Sequence, residues 1–247
     1  MIYVYPGVNE ASAAAAKFFV EAARQAVRAR GRFCVALSGG NSPRRTYKLL
    51  THLPYSSKVP WQETHVFWGD ERFVPQNSPL SNSGTALGLL LRRVRIPPSQ
   101  VHPMPVDLPP KQAADEYEKL LRKFFGRRAP RFDLVLLGLG ANGHTASLFP
   151  HTDVLRIRKR WVEAVCSPGQ KISRLTLTAP LINQARQVLF LVFGKEKSEA
   201  VHQVLEGRRK PSEYPAQLIH PKNGKLFWLL DKHSAALTEL KSPRIRR

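Results

Sequence analysis

Three stretches of the chain bring together residue types that can bind an anion and move a proton. The longest runs Gly138-Leu139-Gly140-Ala141-Asn142-Gly143-His144-Thr145-Ala146-Ser147-Leu148-Phe149-Pro150. An imidazole titrates near neutrality, so His144 after a glycine-rich turn suits a general base. The pattern predicts that a helix starts at this histidine, although a lone histidine serves structure as readily. Ser147 lacks the Gly-x-Ser-x-Gly elbow of a nucleophilic serine. The second stretch is Ser38-Gly39-Gly40-Asn41-Ser42-Pro43. Gly39 and Gly40 permit close backbone approach, and Ser42 and Pro43 suit the cap and first turn of a helix whose free N–H groups favour an anion. It lacks the Gly-Lys-Ser/Thr ending of a Walker A loop, and a plain strand-to-helix turn uses the same residues. The third is Gly69-Asp70-Glu71-Arg72, with Ser81-Asn82 downstream. Here Arg72 could hold a phosphate and Asp70 orient hydroxyls, or the charges could form a structural ion pair.

Each stretch follows a short apolar run, which is how a strand delivers its carboxyl end to a ligand. Phe33 to Leu37, His65 to Trp68 and Asp133 to Leu137 read as these strands. Further strands are predicted near 161–165, 174–177, 188–193 and 227–230. Helices are predicted over 9–30, with Asn9 as N-cap and Gly31 closing it, from Pro43, over 111–125, from about Lys195, and over 232–240. Strands alternating with helices imply an α/β fold, a mostly parallel sheet with helices on both faces. No linker breaks the pattern, so residues 1–240 read as a single domain, and the basic run 241–247 as a disordered tail.

The chain of 247 residues can bury a sizeable core. It carries 39 Lys and Arg against 18 Asp and Glu, a formal charge of +21. Such a surplus favours anionic partners, phosphorylated small molecules among them. No zinc-finger spacing or aromatic-rich RNA-binding signature accompanies it, so no specific nucleic-acid partner is expected. No apolar run approaches the roughly 18 residues of a membrane span, and the N-terminus lacks a signal-peptide pattern. A cytoplasmic protein without membrane association is the expectation. Cys34 and Cys166 each lie in an apolar run and read as small buried thiols. Oligomeric state is not legible.

In order along the chain, Ser-Gly-Gly-Asn-Ser-Pro, Trp-Gly-Asp-Glu-Arg-Phe-Val-Pro with Ser-Asn, and Gly-His-Thr-Ala-Ser-Leu-Phe-Pro resemble the signatures of the 6-phosphogluconolactonase family. So do Arg174 to Asn183, Gly194-Lys195-Glu196-Lys197, Pro215 to Ile219 and Trp228 to Asp231. The resemblance implies a Rossmann-like fold shared with glucosamine-6-phosphate deaminase. It implies hydrolysis of a phosphorylated sugar lactone in the oxidative pentose phosphate pathway, with no metal and no organic cofactor. It makes His144 the base. Arg72 and Lys197 hold phosphate beside the turn of Gly39, Gly40, Asn41 and Ser42, and Asp70 and Asn82 stand in the polar wall. The family usually has Asp-Gly-His where this chain has Asn142-Gly143-His144, and Gly where it has His151. Asn142 is then either an orienting residue for the base or simply a turn residue. The other readings are a noncatalytic sugar-phosphate-binding protein and an isomerase or deaminase on the same fold. Thr145 to Pro150 differs from the Asn-Glu-containing stretch of that last branch.

Overall fold

The computed structural model describes residues 1–126, 130–166 and 172–239. The elements in chain order are β1 (Ile2–Tyr5), α1 (Val8–Arg30), β2 (Phe33–Leu37), α2 (Ser42–Leu50), β3 (Thr64–Trp68), β4 (Asp70–Arg72), α3 (Asn82–Leu89) and α4 (Pro110–Phe125). There follow β5 (Leu134–Leu137), β6 (Val162–Val165), β7 (Arg174–Leu177), α5 (Ala179–Ile182), β8 (Gln187–Val192), α6 (Ser198–Leu205) and β9 (Lys225–Asp231). Six strands form one parallel sheet in the order β1-β9-β8-β5-β2-β3. The runs β2 and β5 are buried at every position, as strands covered on both faces must be.

Alternation along the strands shows both faces covered. Phe33 of β2 meets Phe19 of α1 edge to face, with ring centroids 5.3 Å apart. In the parallel register Phe67 of β3 pairs with Ala36, an odd number of residues from Phe33, so it points to the other face. There it packs on Phe124 of α4 at 5.1 Å.

A second, three-stranded antiparallel sheet, in the order β4-β7-β6, extends the predicted architecture. It begins one residue past β3, where Gly69 N–H donates to Leu37 O at 2.8 Å and its carbonyl accepts from Leu177 N–H at 2.8 Å. Gly69 thus joins the two sheets at the end of the parallel strands.

Several boundaries differ from expectation. The first helix starts at Val8 with Gly7 as its N-cap, two residues before the expected cap Asn9. Asn41, not Ser42, is the residue before α2, and its side chain makes no capping bond. No helix forms over the described part of 232–240. Asp231 Oδ1 accepts from Ser234 N–H at 2.8 Å, and Ser234 Oγ donates to Val192 O and Asp231 O. Such side-chain bonds compete with helical ones. Cys34 is buried as expected, but Cys166 is exposed, because β6 ends at Val165 and the chain leaves the sheet. The tail at 241–247 lies outside the described residues. No helix among the described residues is long and apolar enough to cross a membrane.

Candidate active site

The carboxyl ends of β2, β3 and β5 open on a cavity of about 290 Å³. Its walls include Gly39, Gly40, Asn41, Ser42, Asp70, Arg72, Asn82, His144 and Lys197, all marked by the sequence. Asn142 does not line it but touches His144 directly.

The short strand β4 sorts the Asp-Glu-Arg triplet by alternation. Asp70 and Arg72 face the cavity, while Glu71 turns the other way into the start of α3. The Glu71 carboxylate accepts from the N–H groups of Asn82 (2.7 Å), Ser83 (2.6 Å) and Arg72 (2.8 Å), and from Ser81 Oγ (3.2 Å). An anion at a helix N-terminus is stabilising, and this one fixes α3 and so Asn82. Asn82 Nδ2 donates to Asp70 O (2.9 Å) and Oδ1 (3.1 Å). Its Oδ1 is buried with no hydrogen-bond partner among the described residues and lies against Gly39, where a Cβ would overlap it. Gly39 is required there by close approach. Asp70 Oδ2 accepts from Ser147 Oγ at 2.7 Å. Burial pushes the Asp70 carboxyl above its usual range, against the opposing pull of the Ser147 hydrogen bond, Arg72 and Arg174.

The turn of Gly39 to Ser42 is fixed by Tyr47, whose hydroxyl donates to Ser38 O (2.7 Å) and accepts from Ser38 N–H (3.1 Å). Gly40 has φ 79°, in the left-handed region. Among the described residues, none accepts from the backbone N–H of Gly39, Gly40 or Asn41. The residues that carry these donors, and Ser42 at the start of α2, line the cavity.

His144 does not begin a helix. Ala146 has φ 47°, Thr145 Oγ1 donates to Gly138 O (2.8 Å), and Thr176 Oγ1 accepts from Ser147 N–H (3.2 Å). These bonds hold 144–148 as turns against β5 and β7. The loop is closed from Gly140, whose N–H donates to His144 O at 2.8 Å. Asn142 Oδ1 lies 2.5 Å from His144 Nδ1. An amide oxygen only accepts, so Nδ1 carries the proton and Nε2 holds the lone pair. Burial, then the charges of Arg174, Lys197 and Arg72, push the imidazole down to about 4. It is therefore neutral, and able to accept a proton, throughout the neutral range.

Arg174, absent from the sequence-derived site, lines the cavity too. The register of β4 and β7 sets it opposite Arg72. Like charges directly across a sheet destabilise it, and Arg174 is held below its ordinary value by burial and by Arg72. Among the described residues the buried Nε atoms of both arginines have no partner. With Lys197 at the start of α6, they form a cluster of cations that suits a dianion. Among the described residues no three His, Cys, Asp or Glu side chains are placed to hold a metal ion.

Fold and site together define an α/β protein whose cavity sets a cluster of cations and a neutral imidazole in one space. Residues 7–228 match the model of the glucosamine-6-phosphate isomerases/6-phosphogluconolactonase family, and the chain belongs to that family. It is 45% identical over 214 residues to a 6-phosphogluconolactonase of Synechocystis, covering 85% of this chain and 86% of the relative. The solved 6-phosphogluconolactonase of Trypanosoma brucei superposes with a TM-score of 0.85 at 30% identity, over 96% of this chain and 97% of that one. A monomeric glucosamine-6-phosphate deaminase superposes with a TM-score of 0.82 at 22% identity, over 96% of this chain and 99% of that one, which places both on one fold.

Proposed function

We propose that the chain hydrolyses 6-phospho-D-glucono-1,5-lactone to 6-phospho-D-gluconate, the lactone-opening step of the oxidative pentose phosphate pathway. One observation carries the reading: a single cavity holds an imidazole anchored through Nδ1 and three cations, Arg72, Arg174 and Lys197. The cations bind the phosphate, and that remote binding positions the lactone carbonyl. His144 Nε2 takes a proton from a water molecule as its oxygen attacks the carbonyl carbon. The negative charge that develops on the carbonyl oxygen draws on the free N–H groups of the Gly39 turn and on the field of Arg72. As the bond from that carbon to the ring oxygen breaks, the imidazolium returns its proton to the departing oxygen. Asp70 and Asn82 stand in the polar wall that faces the sugar hydroxyls. Asn142 holds the ring and its tautomer, a role that an amide oxygen fills without adding charge.

The Thr-Ala-Ser-Leu-Phe-Pro run after His144 and the 45% identity to a lactonase favour hydrolysis over deamination. Purified protein given fresh phosphorylated lactone should release acid faster than the spontaneous background, and should release no ammonia from glucosamine 6-phosphate. Ammonia release would move it to the deaminase branch. Lactone binding without turnover would leave a sugar-phosphate-binding protein.

A further inference from the structure

The turn that carries His144 is held from behind by a distant part of the chain. Gly143 stands at φ 78°. A Cβ there would come 2.7 Å from Tyr214 Cδ1 and 3.0 Å from Tyr214 Cα. So the left-handed backbone and the close approach of Tyr214 both require glycine. Gly143 O accepts from Ala216 N–H at 3.0 Å, and His151 N–H donates to Ser212 O at 3.0 Å. Both ends of the loop around His144 are thus tied to residues 212–216.

That segment is tied in turn to α6. Gln217 Nε2 donates to Gln203 O at 2.9 Å and Arg208 O at 3.1 Å, and its Oε1 accepts from Lys210 N–H at 2.6 Å. The helix that carries Gln203 begins directly after Lys197. One carboxamide therefore connects the element holding a phosphate-side cation with the segment against which the base is packed. Neither Tyr214 nor Gln217 lines the cavity.

We propose that residues 210–218 are a positioning element, which sets the His144 imidazole relative to Lys197 through the Tyr214–Gly143 contact and the Gln217 side chain. The proposal rests on the lactonase reading. A substrate that spans both groups reacts fast only when their spacing is held, and a displacement of about 1 Å can lower the rate about 100-fold.

The test combines kinetics with a titration that needs no turnover. Tyr214→Ala and Gln217→Ala should each lower kcat on the phosphorylated lactone by about 10- to 100-fold, with KM little changed. Tyr214→Phe should restore the wild-type rate, because Tyr214 Oη bonds to nothing among the described residues. In a His144→Ala background the same substitutions should cause no further loss, since they act through the imidazole. Should Tyr214→Ala fail to fold, Tyr214→Leu carries the same expectations. The His144 ring should also titrate closer to its ordinary value in Tyr214→Ala, followed by NMR. If the wild type hydrolyses no lactone, the functional reading fails, while the titration still tests the coupling. An unchanged titration with full kcat, or an equal loss in the His144→Ala background, overturns the proposal.

Discussion

At His144 the substitution of an amide for the family's usual carboxylate has a defined consequence. Asn142 Oδ1 accepts from Nδ1 and fixes the tautomer, but it adds no charge to hold a proton on the ring. Buried, and with three cations nearby, the imidazole sits at about 4. The sign for Asn142→Asp follows. A carboxylate favours the imidazolium, so the group loses its base form at a higher pH as the solution is acidified. The acid limb of kcat/KM should move to higher pH, measured after subtraction of spontaneous hydrolysis; an unmoved limb would uncouple position 142 from the base. The cations make a second prediction. Alanine at Arg72, Arg174 or Lys197 should weaken binding of 6-phosphogluconate by about 2–5 kcal/mol, the range for truncating one side of a desolvated charge pair. Loss on an unphosphorylated gluconolactone should be smaller, and equal losses on both would remove these residues from phosphate binding. The histidine, Arg72 and the glycine turn were legible because each lies in a polar, glycine-containing stretch that follows an apolar run. Arg174 was not, since its place depends on a register with Arg72 across strands about a hundred residues apart.

Among the elements, β4 is short and decisive. It separates Asp70 and Arg72, which face the ligand, from Glu71, which serves α3. Within Asp-Glu-Arg alone the two acids are interchangeable; only a strand period of two, and a helix behind it, distinguishes them. Glu71→Gln would leave some of the donors from Arg72, Ser81, Asn82 and Ser83 without an acceptor. A loss of about 1–3 kcal/mol is expected, the range for unsatisfied buried groups, measured by urea unfolding. Unchanged stability would show that α3 starts without this carboxylate. The parallel strands were readable as apolar runs, and α1 as an amphipathic stretch closed by a glycine. The misplaced helices at His144 and over 232–240 share a cause. Thr145, Ser147, Asp231 and Ser234 spend hydrogen bonds on turns and on other strands, and a local pattern does not reveal those partners.

At the scale of the molecule, cations stand at both ends of the parallel sheet. At the amino ends of the strands Asp133 receives Arg30 at 2.8 Å and Arg186 at 3.4 Å. Arg186 is held below its ordinary value by burial and then by Arg30 and Arg131. At the carboxyl ends the cations line the cavity. A net charge of +21 should draw a phosphorylated substrate toward the protein. Accordingly kcat/KM on the phosphorylated lactone should fall as salt rises from about 0.05 to 0.5 M, as the screening length contracts to a few ångströms, while the unphosphorylated lactone shows little dependence. Parallel behaviour of the two would mean that the charge does not steer. What the fold achieves is to bring His144 within one cavity of those cations, and its removal is the direct test. His144→Ala, assayed on fresh phosphorylated lactone with the spontaneous rate subtracted, should lose about 10²- to 10⁴-fold in kcat, the usual contribution of a general base, with KM nearly unchanged. Full activity in that variant would contradict the account.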